Sequence, residues 1–219
     1  LTIDARGFKL LTVSVKPNID RRTARRQDTI AEIVASSWET VRENGLAVLS
    51  MRDLGERVGM RAQSIYSYFA SKHDIYDAMF HEGYQAFAEW MNLAVTDEQF
   101  AADPIEGART SVHAFVEFCT SDPVRYQLLF QRTIPEFTPS AESYAVAVAV
   151  YEQMRERLAV VGVRDQETLD LWTAMMTGLT DQQISNDPGG DRWSLLVDRA
   201  VDMLLVDTGP HNLTESEQE

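Results

Sequence analysis

Residues 50–72 read SMRDLGERVGMRAQSIYSYFASK, and their spacing predicts a helix, a tight turn and a second helix. Ser50 is placed to accept a hydrogen bond from a free backbone N–H of the first helix, with Asp53 three residues on, as in a capping box. Leu54 and Val58 stand four apart and give that helix one apolar face. Gly59 supplies the left-handed residue that ends a helix without a Cβ penalty, and Met60 can pack back beneath the turn. The second helix is expected over residues 61–69, with Ile65 and Phe69 turned inward. Arg61, Ala62, Gln63, Ser64, Tyr66, Ser67 and Tyr68 then face outward or sideways. That face is short, polar and aromatic, and it suits a major groove about 12 Å wide.

The run Gly59-Met60, Ser64-Ile65-Tyr66, Tyr68-Phe69 and Lys72 resembles the recognition-helix signature of the TetR family of bacterial transcription regulators, commonly Gly-Val-Ser-x-x-Thr-Leu-Tyr-x-His-Phe-x-x-Lys. Residues 49–54 resemble that family's entry into its second helix, and the likeness covers roughly residues 25–80. Two positions depart from the pattern: Arg61 stands where a capping Ser is usual, and Tyr68 where His is common. The resemblance implies that Arg61, Ala62 and Gln63 face base edges. It implies that Ser64, Tyr66, Ser67, Tyr68 and Lys72 hold the sugar-phosphate backbone, and Arg52 joins this DNA-binding set. Side-chain chemistry agrees in part, since Arg reads guanine, Gln suits adenine, and hydroxyls with a Lys are ordinary phosphate contacts. The competing readings are a Tyr66 ring packed against the preceding helix and an Arg61 that is only a solvated charge.

The charge is polarised. Residues 1–80 hold twelve basic and ten acidic side chains, a net of +2. Residues 81–219 hold eight and twenty-four, a net of −16, which accounts for the overall −14. All three lysines, Lys9, Lys16 and Lys72, and the cluster Arg21, Arg22, Arg25 and Arg26 fall in the first part. A chain so divided is oriented by DNA, basic end inward. The arginine cluster before the first helix reads as a phosphate or minor-groove arm, or as a solvated tail.

The rest of the chain reads helical, and no convincing strand is found. Ile30, Ile33, Val34, Trp38 and Val41 repeat at helical spacing within 23–44, closed by Gly45. Ser71 with Asp74 opens a helix to about residue 94. Asp103-Pro104 and Asp122-Pro123 start two more, with Pro in the first turn. Further helices are expected over about 165–185 and 191–207, and over a stretch to about 161 that is opened by either Thr138-Pro139 or Ser140. The expected fold is therefore all-α, with about nine helices: an N-terminal helix-turn-helix, three-helix head joined to a larger C-terminal helical bundle body. Residues 1–20 are read as an N-terminal extension and 21–70 as the DNA-binding domain. Residues 71–208 are read as an effector-binding and dimerisation domain, and 209–219 as an acidic tail.

Two apolar stripes nominate the last two helices, 165–185 and 191–207, for a homodimer bundle: Leu169, Trp172, Met176 and Leu179, then Trp193, Leu196, Val197, Ala200, Val201, Leu204 and Leu205. The alternative is that these stripes face only their own core. Phe87, Trp90, Met91, Phe115, Phe118, Phe130, Trp172 and Met175 are candidates to line an effector pocket, with Gln182 and Gln183 as polar additions. The same residues could equally be plain core.

The single Cys119 excludes an internal disulfide and fits a reducing cytoplasm. The apolar stretch 8–15 is too short to cross a bilayer, so no membrane partner is expected. His73, His81, His113 and His211 lack metal-ligand spacing, and no phosphate loop or nucleophile motif occurs. No cofactor and no catalytic residue is expected. The reading is an effector-responsive regulator, more a repressor than an activator, with double-stranded operator DNA, a small-molecule effector and a second copy of itself as partners. The alternatives are a helical protein-interaction module and an all-helical enzyme with an unrecognised site.

Overall fold

The computed structural model describes residues 21–207, and among them there is no strand. The expected extension 1–20 and tail 209–219 lie outside the described residues. Ten α-helices follow in order. The head holds α1 (Arg21–Asn44), α2 (Met51–Arg57) and α3 (Ala62–Ile65). The body holds α4 (Lys72–Ala94), α5 (Asp97–Ala102), α6 (Pro104–Ser121), α7 (Pro123–Phe130), α8 (Ala141–Val160), α9 (Gln166–Asn186) and α10 (Val197–Asp207). Short 3-10 turns, Leu46–Val48 and Ser194–Leu196, precede α2 and α10.

Local capping sets most of these boundaries. The Ser50 side chain accepts from the Asp53 N–H at 3.1 Å, and Ser71 forms a complete capping box with Asp74. Asp103 and Asp122 cap α6 and α7, each followed by Pro at the first helical position. Gly59 takes φ 68°, the left-handed conformation that stops α2. Gly55 lets α2 and α3 meet, since a Cβ there would sit 2.9 Å from the Met60 carbonyl oxygen.

Two elements differ from expectation. The tenth helix is α5, six residues long and opened by a Thr96–Gln99 capping box, with Phe100 buried. The recognition element is shorter than 61–69. Regular α-helix covers only Ala62–Ile65, and the chain then tightens, with the Ser67 N–H donating to the Ser64 carbonyl and the Tyr68 N–H to the Ile65 carbonyl. Arg61 at its start makes no side-chain cap, so the first turn lacks the side-chain acceptor that a Ser there would supply, and the Ser64 N–H turns to the Arg61 carbonyl at 2.7 Å. The Ser67 hydroxyl also donates to the Ser64 carbonyl at 2.7 Å, competing with the helical ladder.

The head is not closed by its own three helices. Its core joins Ile33, Val34, Trp38 and Val41 of α1 and Leu54 of α2 with Ile65 and Phe69. Ile75, Tyr76 and Met79 of α4 and Leu128 of α7 belong to the same core. The Tyr76 hydroxyl donates to the Leu46 carbonyl, and burial pushes its phenol above the ordinary range. The head's packing therefore extends past residue 70, because a segment this small cannot bury enough apolar surface alone. Arg42 of α1 adds a salt bridge to Asp122 at the start of α7.

A second core lies among α6, α9 and α10, and a third, rich in aromatic rings, among α4, α6 and α7. Cys119 is fully buried in the third, and burial drives its thiol well above the usual range. Among the described residues no helix is long and apolar enough to cross a membrane.

Ile65 is the residue on which the short recognition segment is anchored, with its side chain wholly enclosed. Ile65→Ala is expected to lower stability by roughly 2–5 kcal/mol. Urea denaturation read by circular dichroism measures it, and a loss under about 0.5 kcal/mol would contradict this account of the head.

Candidate nucleic-acid interface and body cavity

The short α3 and the turn after it leave one edge of the head uncovered. Arg61, Gln63, Ser67 and Lys72 are exposed, and Ala62, Ser64 and Tyr68 are half-buried at the margin of the core. Tyr66 is 49% exposed and is not among the residues of the head core. Lys72 occupies the first position of α4, directly after the Ser71 cap. Arg52 is exposed on α2 and pairs with Glu56 at 3.3 Å, a solvated contact of small energetic weight.

Arg26 completes this edge, and the sequence singled it out only as one of a cluster. Both of its terminal nitrogens donate to the Ser67 carbonyl at 3.2 Å, and its guanidinium carbon lies 4.8 Å from the centre of the Tyr68 ring. The start of α1 is thereby fastened to the end of the recognition segment. Arg21, Arg22, Arg25 and Arg26 line a cleft with Thr29, Ser67 and Tyr68, so the arginine cluster adjoins the exposed edge. Arg57 plays a different part. It holds Glu43 in a two-pronged pair at 2.7 Å and touches Glu39, locking α2 to α1 and holding the Glu43 carboxyl below its usual range.

The body contains a cavity of about 230 Å³ bounded by α4 to α9. Of the expected lining residues, Phe87, Met91, Phe115, Phe130 and Trp172 reach it. Trp90, Phe118 and Met175 do not. The Trp90 indole N–H turns away to the Ala114 carbonyl at 2.9 Å. Phe118 is buried beneath the Arg125 guanidinium at 3.7 Å. Met175 packs toward the α6–α10 core, and its neighbour Met176 takes the place on the wall, one helical step of rotation away. Tyr84, Met154 and Arg157 line the cavity without having been nominated.

The two glutamines also lie elsewhere. Gln183 is buried and accepts from the N–H groups of Trp193 and Ser194, pinning the link from α9 to α10. Gln182 is exposed and accepts from Asn186.

The nominated dimer stripes require correction. Leu169, Trp172, Met176, Val197, Ala200, Val201 and Leu204 are buried in the chain's own core, against Val112, Val116 and Leu158 of α6 and α8. Periodicity marks a buried stripe without saying what buries it, and here the subunit itself does. Of the nominated residues Leu196 alone is among the large apolar side chains that α9, α10 and the turn between them leave in solvent, and it is joined by three that were not nominated, Leu171, Leu195 and Met203. A further tie links the body to the head-proximal end of α4. Asp77 accepts from the Ser140 N–H at 2.6 Å and from the Ser140 and Ser143 hydroxyls at 2.8 Å, fixing the N-terminus of α8.

Residues 33–79 match the family model described as bacterial regulatory proteins, tetR family. The HTH-type transcriptional regulator Rv1816 of Mycobacterium tuberculosis is 24% identical over 136 residues, covering 60% of this chain and 56% of that relative. The chain thus spans little more than half the length of the curated relative it matches. Among solved structures, the fatty acid degradation regulator FadR from Bacillus halodurans superposes with a TM-score of 0.63 at 16% identity, over 81% of this chain and 94% of that one. A single-substitution variant of TetR from Acinetobacter baumannii AYE, in complex with minocycline, gives 0.56 at 19% identity, over 81% and 94%. At such identities the solved structures speak for the fold alone.

Proposed function

We propose that this chain is a transcriptional regulator of the tetR family of bacterial regulatory proteins, a dimeric repressor that leaves a palindromic operator when a small apolar molecule enters the body cavity. The observation that carries the DNA-binding half is the uncovered edge from Arg61 to Ser67, adjoined at Ser67 by the α1 arginines and followed in the chain by the exposed Lys72. Arg61 and Gln63 carry the hydrogen-bonding groups that discriminate bases, and Ser67, Tyr66 and Lys72 those that grip phosphates. One such short edge reads few base pairs, so two on a two-fold axis are needed for a useful site. The face of α9 and α10 carrying Leu171, Leu195 and Met203 is the surface we assign to the second copy.

The effector half rests on the cavity and on its mechanical links. Its wall includes Ala147, Met154 and Leu158 of α8, whose N-terminus is nailed to Asp77 of α4. Asp77 lies beside Ile75, Tyr76 and Met79, which are part of the head core. Occupation that shifts α8 would therefore tilt α4 and carry the head with it. The coupling is bounded by the difference in ligand affinity between the two arrangements.

Duplexes selected from a random pool supply the binding assay. Arg61→Ala is expected to cost roughly 1–3 kcal/mol and relax one position of the selected site, whereas Lys72→Ala weakens all sequences alike and reduces the salt slope by about one. No selected sequence, or unchanged binding by both variants, would sink the DNA reading. Coupling is tested without any ligand by Ala147→Phe, which fills the cavity from within. Operator affinity should fall at least about tenfold, as a shift of about 1.4 kcal/mol does, and Asp77→Ala in the same chain should remove the effect. Equal affinity in Ala147→Phe and the parent would refute the link.

A further inference from the structure

The polar groups on the cavity wall differ in how their hydrogen-bonding capacity is used. The Ser111, Thr173 and Thr177 hydroxyls donate to carbonyls of their own helices, at 2.8–2.9 Å. The Tyr84 hydroxyl donates to the Leu129 carbonyl at 3.2 Å, and the Gln153 amide to Asn92 at 3.0 Å. The Tyr151 hydroxyl accepts from the Gln166 amide at 3.3 Å, and Arg157 is set apart from all of these by its charge and its burial. One terminal nitrogen donates to the Val95 carbonyl at 3.0 Å and to the Asp97 carboxylate at 2.8 Å, while its Nε is buried without a hydrogen-bond partner. The side chain is only 13% exposed, yet its ionic partner Asp97 is 84% exposed. Among the described residues, Arg157 is the only charged group on a wall that holds no carboxylate, in a chain whose net charge is −14.

A shielded cationic donor with spare capacity is costly to leave unmatched, and a charged acceptor matches it better than a neutral one. The pair with Asp97 is screened by solvent on its acidic side, so it is a weak competitor. The cavity, at about 230 Å³, is half again the roughly 150 Å³ that accommodates a benzene ring. That volume admits one substituted ring or a medium-length chain. Phe87, Met91, Phe115 and Trp172 give most of the remaining wall an apolar character.

We infer that the cavity selects a small apolar acid, its hydrocarbon part among the aromatic side chains and its carboxylate on the Arg157 guanidinium, which swings from Asp97 to receive it. This rests on the reading of the cavity as the effector site. Binding exchanges one carboxylate partner for another at the same cation, so no buried charge is left over. It also loosens the contact of α8 with the start of α5, which frees α8 for the shift that the proposed release requires.

Calorimetric titration of the full chain with octanoate, octanol and octylamine, and with 3-phenylpropionate and 3-phenylpropanol, tests the inference. The acids should bind at least about tenfold more tightly than their alcohols, and the amine more weakly than either. Arg157→Met should lose that preference while still binding the alcohols. Asp97→Asn leaves the arginine in place, guards against a folding defect in the first variant, and should tighten octanoate several-fold. Alcohols that bind as well as acids, or a preference that survives Arg157→Met in a folded protein, would overturn the acid assignment and leave the cavity reading standing. Failure of all five probes with the parent chain would overturn both.

Discussion

Everything in this molecule depends on one helix belonging to two cores. The first turns of α4 place Ile75, Tyr76 and Met79 inside the head, and its later turns place Phe87 and Met91 on the cavity wall. A head that borrows its closing helix from the body cannot reorient independently of it. Leu128 of α7 and the Arg42–Asp122 pair tighten the same constraint from the other side. Packed interiors do not deform smoothly, so in the proposed mechanism movement at the cavity passes along α4 as a tilt rather than being absorbed.

The division of charge complements this mechanical arrangement. The head is slightly basic and carries its arginines beside the exposed edge, whereas the body holds the large acidic excess. Opposed fields of this kind favour approach to DNA in one orientation and oppose binding through the body. Within the acidic body, a wall bearing a single buried guanidinium and no carboxylate is an electrostatic exception that packing alone does not require.

How much of this was legible in the sequence follows from the range of the forces involved. The caps at Ser50, Ser71, Asp103 and Asp122 act over three residues, so local reading placed those helix starts well. The left-handed Gly59 was readable for the same reason. The Thr96–Gln99 box obeyed the same rule, but a helix of six residues carries too little periodicity to stand out. The length of α3 was overestimated because Ile65 and Phe69 fit a helical spacing that a tighter turn also satisfies.

Properties that depend on what faces a stripe were much less legible. In α9 and α10 the strongest apolar pattern marks the subunit's own core, and the weaker set of Leu171, Leu195 and Met203 remains in solvent. Met176 replaced Met175 on the cavity wall through a rotation that composition cannot fix. The setting of Arg157 was invisible for a related reason: its neighbours Val95 and Asp97 lie about sixty residues away in the chain.

The account stands most directly on two recognition edges held at groove spacing by a two-fold pair of subunits. A nitroxide on Ala70→Cys, an exposed position just past the recognition edge, reports this by pulsed electron spin resonance on the duplex-bound protein. Cys119 stays unlabelled because it is buried and its thiol is held protonated. A single sharp distance near one helical turn, about 34–36 Å between edges, is predicted. An absent intersubunit distance, or one incompatible with adjacent major grooves, would contradict it.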